Sequence, residues 1–238
     1  MRTRRLIGDG RMSGHSNFVA AVVATLAAAL CGLMVYLIGL RWFDRNAAII
    51  AALAYSLGTM AFVYSSVRAE TLLVACLLFA FYSLLKYKED SGGFRWAVLT
   101  GVGCGAAGGA KAYGFLLVLP FAAGFLVSNG FRKRGDIAAF AAPVVASAVL
   151  QGAYNAARFS GWADAGYAAT FGFDFAHLGQ CLYVLFLSPA KSIFIFCPVL
   201  IVSMSAFGGF YRGNRFEGLL ILSFTICLLY TSDAADEL

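Results

Sequence analysis

Apolar runs close to 20 residues long recur along this chain, at about 18–40, 46–65, 70–86, 95–110, 112–129, 136–153, 192–210 and 217–230. That recurrence constrains the fold more than any single motif does, because ~20 apolar residues are what a helix needs to cross the ~30 Å hydrocarbon core of a bilayer. The runs are solidly apolar and lack the inside-outside alternation of a barrel strand, so each must satisfy its backbone polar groups internally, as a helix. Composition agrees: 61% of residues are hydrophobic and 13% charged, whereas a soluble domain carries about 25% charged residues. The expected architecture is all-α, a polytopic transmembrane bundle of about eight spans. It forms one membrane domain over residues 1–227 with no soluble module. A further apolar piece, 178–188, is too short to cross alone.

Charge orients the bundle. Lys and Arg collect on cytoplasmic loops. Here Arg41 and Arg45, then Lys86, Lys88 and Arg95, then Arg132, Lys133 and Arg134, then Arg212 and Arg215 follow every second span. The intervening loops carry Arg68, then Lys111, then Arg158 and Lys191, and should face the outside. The net charge of +6 has this ordinary cause, and no nucleic-acid partner is expected. The N-terminal MRTRRLIGDGR, with Arg2, Arg4, Arg5 and Arg11, conflicts with the alternation. The conflict eases if residues 1–17 are the tail of an external loop whose upstream helix is missing. At the other end LLYTSDAADEL, residues 228–238, resembles a translated sequencing adapter; the alternative is a short disordered polar tail.

Several motifs carry no chemistry. Gly103, Gly105 and Gly108 fit G-x-G-x-x-G, but a dinucleotide site needs a preceding strand and a βαβ unit. The same glycines fit small-x-x-x-small packing, which lets helices approach closely in a bilayer. Five of the six cysteines fall in spans and Cys181 in the short apolar piece, without C-x-x-C spacing, and His15 and His177 are isolated. No metal site or cofactor is expected, although the residues leave a divalent ion open.

The segment YNAARFSGWADAGYAATFGFDFAHLGQ, 154–180, is expected to be an external loop rich in aromatics, with Arg158, Asp164, Asp174 and His177 among them. Such a loop can simply seat Trp and Tyr at the membrane interface. It also has what sugar binding uses, flat rings with amides or carboxylates beside them. Asn155, Asp164 and Tyr167 are the candidates for sugar or acceptor contacts. Lys191, in FLSPAKSIFIFCP, lies at a membrane boundary on the same side, where a lysine can snorkel or meet an anion.

YNAARFSGWADAGY at 154–167, FLSPAKSIFIFCP at 186–198, GTMAFVYSSVRAETLLVACLLFAFY at 58–82 and KAYGFLLVLP at 111–120 together resemble the bacterial integral-membrane glycosyltransferases of the GT-C superfamily. The likeness is to the protein mannosyltransferase and aminoarabinose transferase group. RFSGW and AKS depart from the group's usual RFG turn and Gly-Lys pair, but both keep the cation. The resemblance implies transfer of a sugar from a polyprenyl-phosphate donor to a glycan, lipid or protein at the external face of a bacterial inner membrane. It implies Lys191, Arg158 and Lys111 around the donor phosphate and an acid at Glu70. It also implies a catalytic base in a first external loop upstream of residue 1, so that the chain is a fragment. Glu70 has a plainer reading as a helix N-terminal carboxylate. The other classes are a transporter or lipid-linked oligosaccharide flippase, and a noncatalytic scaffold; oligomeric state is unread. A transporter is expected to hold ionisable residues in mid-span, and these spans are nearly free of charge.

Overall fold

The computed structural model describes residues 14–59, 61, 70–90, 93–129, 134–158, 161–162, 183, 186 and 192–236. Its helices are α1 (Gly14–Gly39), α2 (Arg45–Gly58), α3 (Glu70–Glu89), α4 (Phe94–Ala110), α5 (Val118–Asn129), α6 (Arg134–Arg158), a single turn α7 (Ile193–Phe196), α8 (Val199–Gly213) and α9 (Arg215–Asp236). There is no strand among the described residues. Each expected span contains a helix.

The helix ends follow from local chemistry. Glu70 opens α3 while Lys86 and Lys88 close it, and Asp136 and Arg158 bracket α6. Each pair sets a carboxylate at the positive end of the helix dipole and a cation at the negative end. α4 stops where Lys111 turns extended, and a 3-10 turn at Ala112–Phe115 delays α5. The run expected at 192–210 divides at Cys197-Pro198, with α8 beginning at Val199. Proline has no N–H to donate and suits a helix start.

The expectation of an external loop from 154 needs correction, because α6 continues as helix to Arg158. Polar side chains there suggested a loop, but Gln151 Nε2 donates to Asn155 Oδ1 at 3.1 Å, one turn apart on the same face. The Arg158 guanidinium likewise donates to the Tyr154 hydroxyl. Ala156 and Ala157 between them are strong helix formers.

Packing centres on α3 to α6 and α9. Ala80, Phe81, Leu84 and Tyr87 of α3 bury against Ala97 and Cys104 of α4, Phe121 and Phe125 of α5, Phe140 of α6 and Leu220 of α9. Phe125 stacks on Phe140 with ring centres 4.9 Å apart. The α4/α6 contact is closer still. A Cβ added to Gly101 would overlap the Phe140 carbonyl oxygen, and one at Gly105 would stand 2.9 Å from the carbonyl oxygen of Pro143. Ser147 Oγ donates to the Gly105 carbonyl at 2.6 Å. The two helices therefore run parallel and meet backbone to backbone, as small residues allow in a bilayer. A second small cluster, Ala27 and Cys31 on α1 with Ala75 on α3, attaches α1 to the bundle.

At the end carrying the turns after α1, α3 and α8, side chains tie these helices together. Arg41 pairs with Glu89, Lys88 with Glu217 at 2.6 Å, and Tyr87 donates to Asp136 at 3.0 Å. Elsewhere the outer faces are apolar and open: Leu26 and Leu33 on α1, Ile50 and Leu57 on α2, Val145 and Leu150 on α6, Val202 and Met204 on α8. Among the described residues, helices at Phe18–Gly39, Glu70–Glu89 and Arg134–Arg158 are long and apolar enough to cross a membrane. The open apolar faces are then lipid contacts, as a bilayer-spanning bundle requires.

Candidate functional site

The α3–α4 hairpin brings two of the expected site residues together. α3 starts at the end where α4 finishes, and their lengths of 20 and 17 residues leave Glu70 and Lys111 level. Lys111 Nζ lies 2.5 Å from Glu70 Oε1, with the two side chains 25% and 38% exposed. The pair is therefore reachable from outside the bundle rather than sealed in it. Lys111 Nζ also stands 5.7 Å from the centre of the Tyr113 ring, within range of a cation–π contact. The macrodipoles favour this placement, with the carboxylate at the N-terminus of α3 and the ammonium at the C-terminus of α4.

Arg158 lies on the same side but at a different height. Ser147 of α6 neighbours Gly109 of α4. Arg158 is eleven residues further along α6, about 16 Å at helical rise. Its guanidinium carbon is 5.8 Å from the centre of the Tyr154 ring. Asn155 is buried, accepting from Gln151 and donating through Nδ2 to the Trp162 carbonyl at 3.3 Å. Its amide thus holds the start of the following segment against α6. Trp162 packs its ring over Gly152, where a side chain would collide with it, yet the residue remains exposed. Lys191, Asp164 and Tyr167 lie outside the described residues. Next to Lys191, Ser192 is buried and donates to the Phe186 carbonyl at 2.9 Å.

Sequence reasoning did not single out Tyr113 or Trp162. Tyr113 is two residues past Lys111 in the quoted KAYGF segment, and that spacing was the available signal. Nothing local marks Trp162 apart from the other aromatics of its segment. Gly103, Gly105 and Gly108 sit inside α4 and line helix contacts. Among the described residues no group of three or more His, Cys, Asp or Glu side chains could hold a metal ion, and the five described cysteines are free thiols.

Lipid-facing helices whose charges sit at their ends, with a carboxylate–ammonium pair accessible at one end, define an all-α integral membrane protein. The family model described as dolichyl-phosphate-mannose-protein mannosyltransferase matches residues 10–153, and the chain belongs to that family of membrane glycosyltransferases. The matched stretch contains Glu70, Lys111 and the α4/α6 contact, and ends just before Asn155. No curated protein and no solved structure matches the chain.

Proposed function

We propose that the protein acts at the external face of a bacterial inner membrane, transferring a sugar from a polyprenyl-phosphate donor to a glycan, lipid or protein acceptor. The observation that carries this reading is the Glu70–Lys111 pair, 2.5 Å apart and reachable from outside. Sugar transfer from a phosphate carrier makes two demands. The acceptor hydroxyl must lose a proton, and the carrier phosphate gains negative charge as its glycosidic bond breaks. A carboxylate and an ammonium held side by side offer one group for each demand. A cation fixed where charge develops stabilises the transition state more than the ground state. Arg158, standing higher on α6, and Lys191 are the further cations that the family resemblance assigns to the donor phosphate. Asp164 and Tyr167 remain the candidates for the sugar or acceptor, with Asn155 in a positioning part. Every Asp, Glu, Lys and Arg among the described residues lies in a terminal turn of a helix or between helices, which disfavours a transport path through the spans.

Turnover measured in membranes with a polyprenyl-phosphate sugar tests the reading. Arg158→Ala and Lys191→Ala are each expected to lower turnover at least tenfold, about 1.4 kcal/mol, with expression and insertion retained. Normal turnover and donor affinity in Lys191→Ala would reduce that lysine to an interfacial anchor. The membrane face is tested separately by labelling single cysteines in a background free of native ones. Positions near Ser66 and Gly166 are expected to react from outside, and positions near Glu89 and Gly135 only after permeabilisation. The reverse pattern would put the pair on the wrong side for an external donor.

A further inference from the structure

The opposite end of α4 holds a cavity that the glycosyl-transfer reading does not use. It has a volume of about 720 Å³ and is lined by Asp90, Gly93, Phe94, Arg95, Trp96 and Leu99. α4 is 17 residues long, so this cavity lies about 25 Å from Lys111 along the helix. Two of its walls are charged and of opposite sign. Neither Asp90 nor Arg95 enters an ion pair among the described residues, whereas Arg41, Lys86, Lys88, Glu89 and Glu217 of the same end do. A carboxylate and a guanidinium that share a cavity and leave each other alone are both open to a ligand. The remaining walls are apolar or aromatic. Phe94 is 60% exposed. Trp96 is steadied edge-on by Tyr82, with ring centres 6.3 Å apart. Gly93 keeps the floor open, since a Cβ there would stand 2.8 Å from Asp90 Oδ2 and 3.2 Å from the Trp96 ring.

We propose that this cavity binds a phospholipid with an ethanolamine headgroup, its phosphate on Arg95 and its ammonium on Asp90. Charge complementarity selects this class. A guanidinium offers a phosphate two parallel N–H donors. The carboxylate accepts from the ammonium, which has N–H groups to give. A headgroup with only negative charge leaves Asp90 facing an anion, and a choline headgroup brings Asp90 no hydrogen-bond donor. Of these three headgroups, only ethanolamine gives Arg95 a phosphate and gives Asp90 both a positive charge and a hydrogen-bond donor. Phe94, Trp96 and Leu99 then meet the glycerol and the first acyl carbons, the depth at which indole rings favour the interface. This inference is independent of the chemistry proposed for Glu70 and Lys111.

The test uses Trp96 as its own reporter. The chain has three tryptophans, so Trp42→Phe with Trp162→Phe leaves Trp96 alone in the full chain. This protein is reconstituted in phosphatidylcholine vesicles that carry a small, equal fraction of brominated phosphatidylethanolamine, phosphatidylglycerol or phosphatidylcholine, and bromine quenching of Trp96 is read. Brominated phosphatidylethanolamine is expected to quench about twofold or more beyond either other lipid, with Asp90→Asn and Arg95→Gln each removing that excess. Equal quenching by the three lipids would overturn the proposal. So would stronger quenching by phosphatidylglycerol, or a preference that survives both substitutions. The three-lipid comparison on the unsubstituted cavity decides the matter even where a charge variant fails to insert.

Discussion

Leucine at Gly101 is expected to cost the protein most of its folded population. The α4 backbone meets the Phe140 carbonyl of α6 at this glycine so closely that even a Cβ would overlap it. The obstacle is a backbone carbonyl within a helix, so no side chain can rotate away and the helices must separate. Overpacking of this kind costs typically about 1–3 kcal/mol and sometimes more. Parting α4 from α6 would also loosen the Phe125–Phe140 stack and the Ser147 bond to Gly105. The expected result is a fall in the thermal midpoint of the detergent-solubilised protein, followed by size-exclusion chromatography after heating, large enough that little monodisperse protein survives. Gly101→Ala should fall between leucine and wild type. Gly208→Leu, on α8 where nothing lies within 4 Å, should leave the midpoint close to wild type. Wild-type stability in Gly101→Leu would mean that α4 and α6 do not pack in this register.

The second large effect separates chemistry from architecture at the Glu70–Lys111 pair. Glu70→Gln and Lys111→Ala are each expected to lower sugar-transfer turnover at least tenfold, about 1.4 kcal/mol, in membranes where the protein still inserts. Loss of turnover in single variants does not by itself exclude a clasp that merely holds α3 to α4. The decisive variant exchanges the two, Glu70→Lys with Lys111→Glu. It remakes the ion pair, although each charge then opposes its helix dipole by about 0.3–1 kcal/mol. A clasp is restored by the exchange, so stability and turnover recover together. If the carboxylate and ammonium have separate chemical parts, stability recovers and turnover does not. Recovery of turnover in the exchanged protein would remove the pair from the proposed chemistry.

Much of the bundle was legible in the sequence because bilayer crossing imposes a length and a composition on each helix. The positions of α1, α3 and α4 agree with the expected runs to within a few residues at each end. The alternation of Lys and Arg also put Glu70 and Lys111 at one end. Their pairing was not legible, because it depends on how far α3 slides against α4, and that register follows from packing such as that of Ala80 against Gly103. The end of α6 was misread for the opposite reason. Tyr154, Asn155 and Arg158 are polar enough to suggest a loop, yet their hydrogen bonds with one another and with Gln151 run along one helix. The close approach at Gly105 agrees with the expected small-residue packing, but Gly101 was not among the glycines of that motif, and nothing in them named α6 as the helix that would use it.

α6 outgrows its neighbour, and the surplus is all at one end. Because backbone contact with α4 fixes its lower part, the last three turns of α6 make a rigid mast that carries Arg158 above the Glu70–Lys111 level. The elevation of that guanidinium is thus set by a residue count rather than by the conformation of a loop. A four-residue insertion just after Ser147 would raise Arg158 by about 6 Å at 1.5 Å per residue while turning it only about 40° at 3.6 residues per turn. A matching deletion would lower it by the same step. The chain therefore contains a graduated ruler: a series of such lengths could measure how far above the Glu70–Lys111 pair an anion on Arg158 sits.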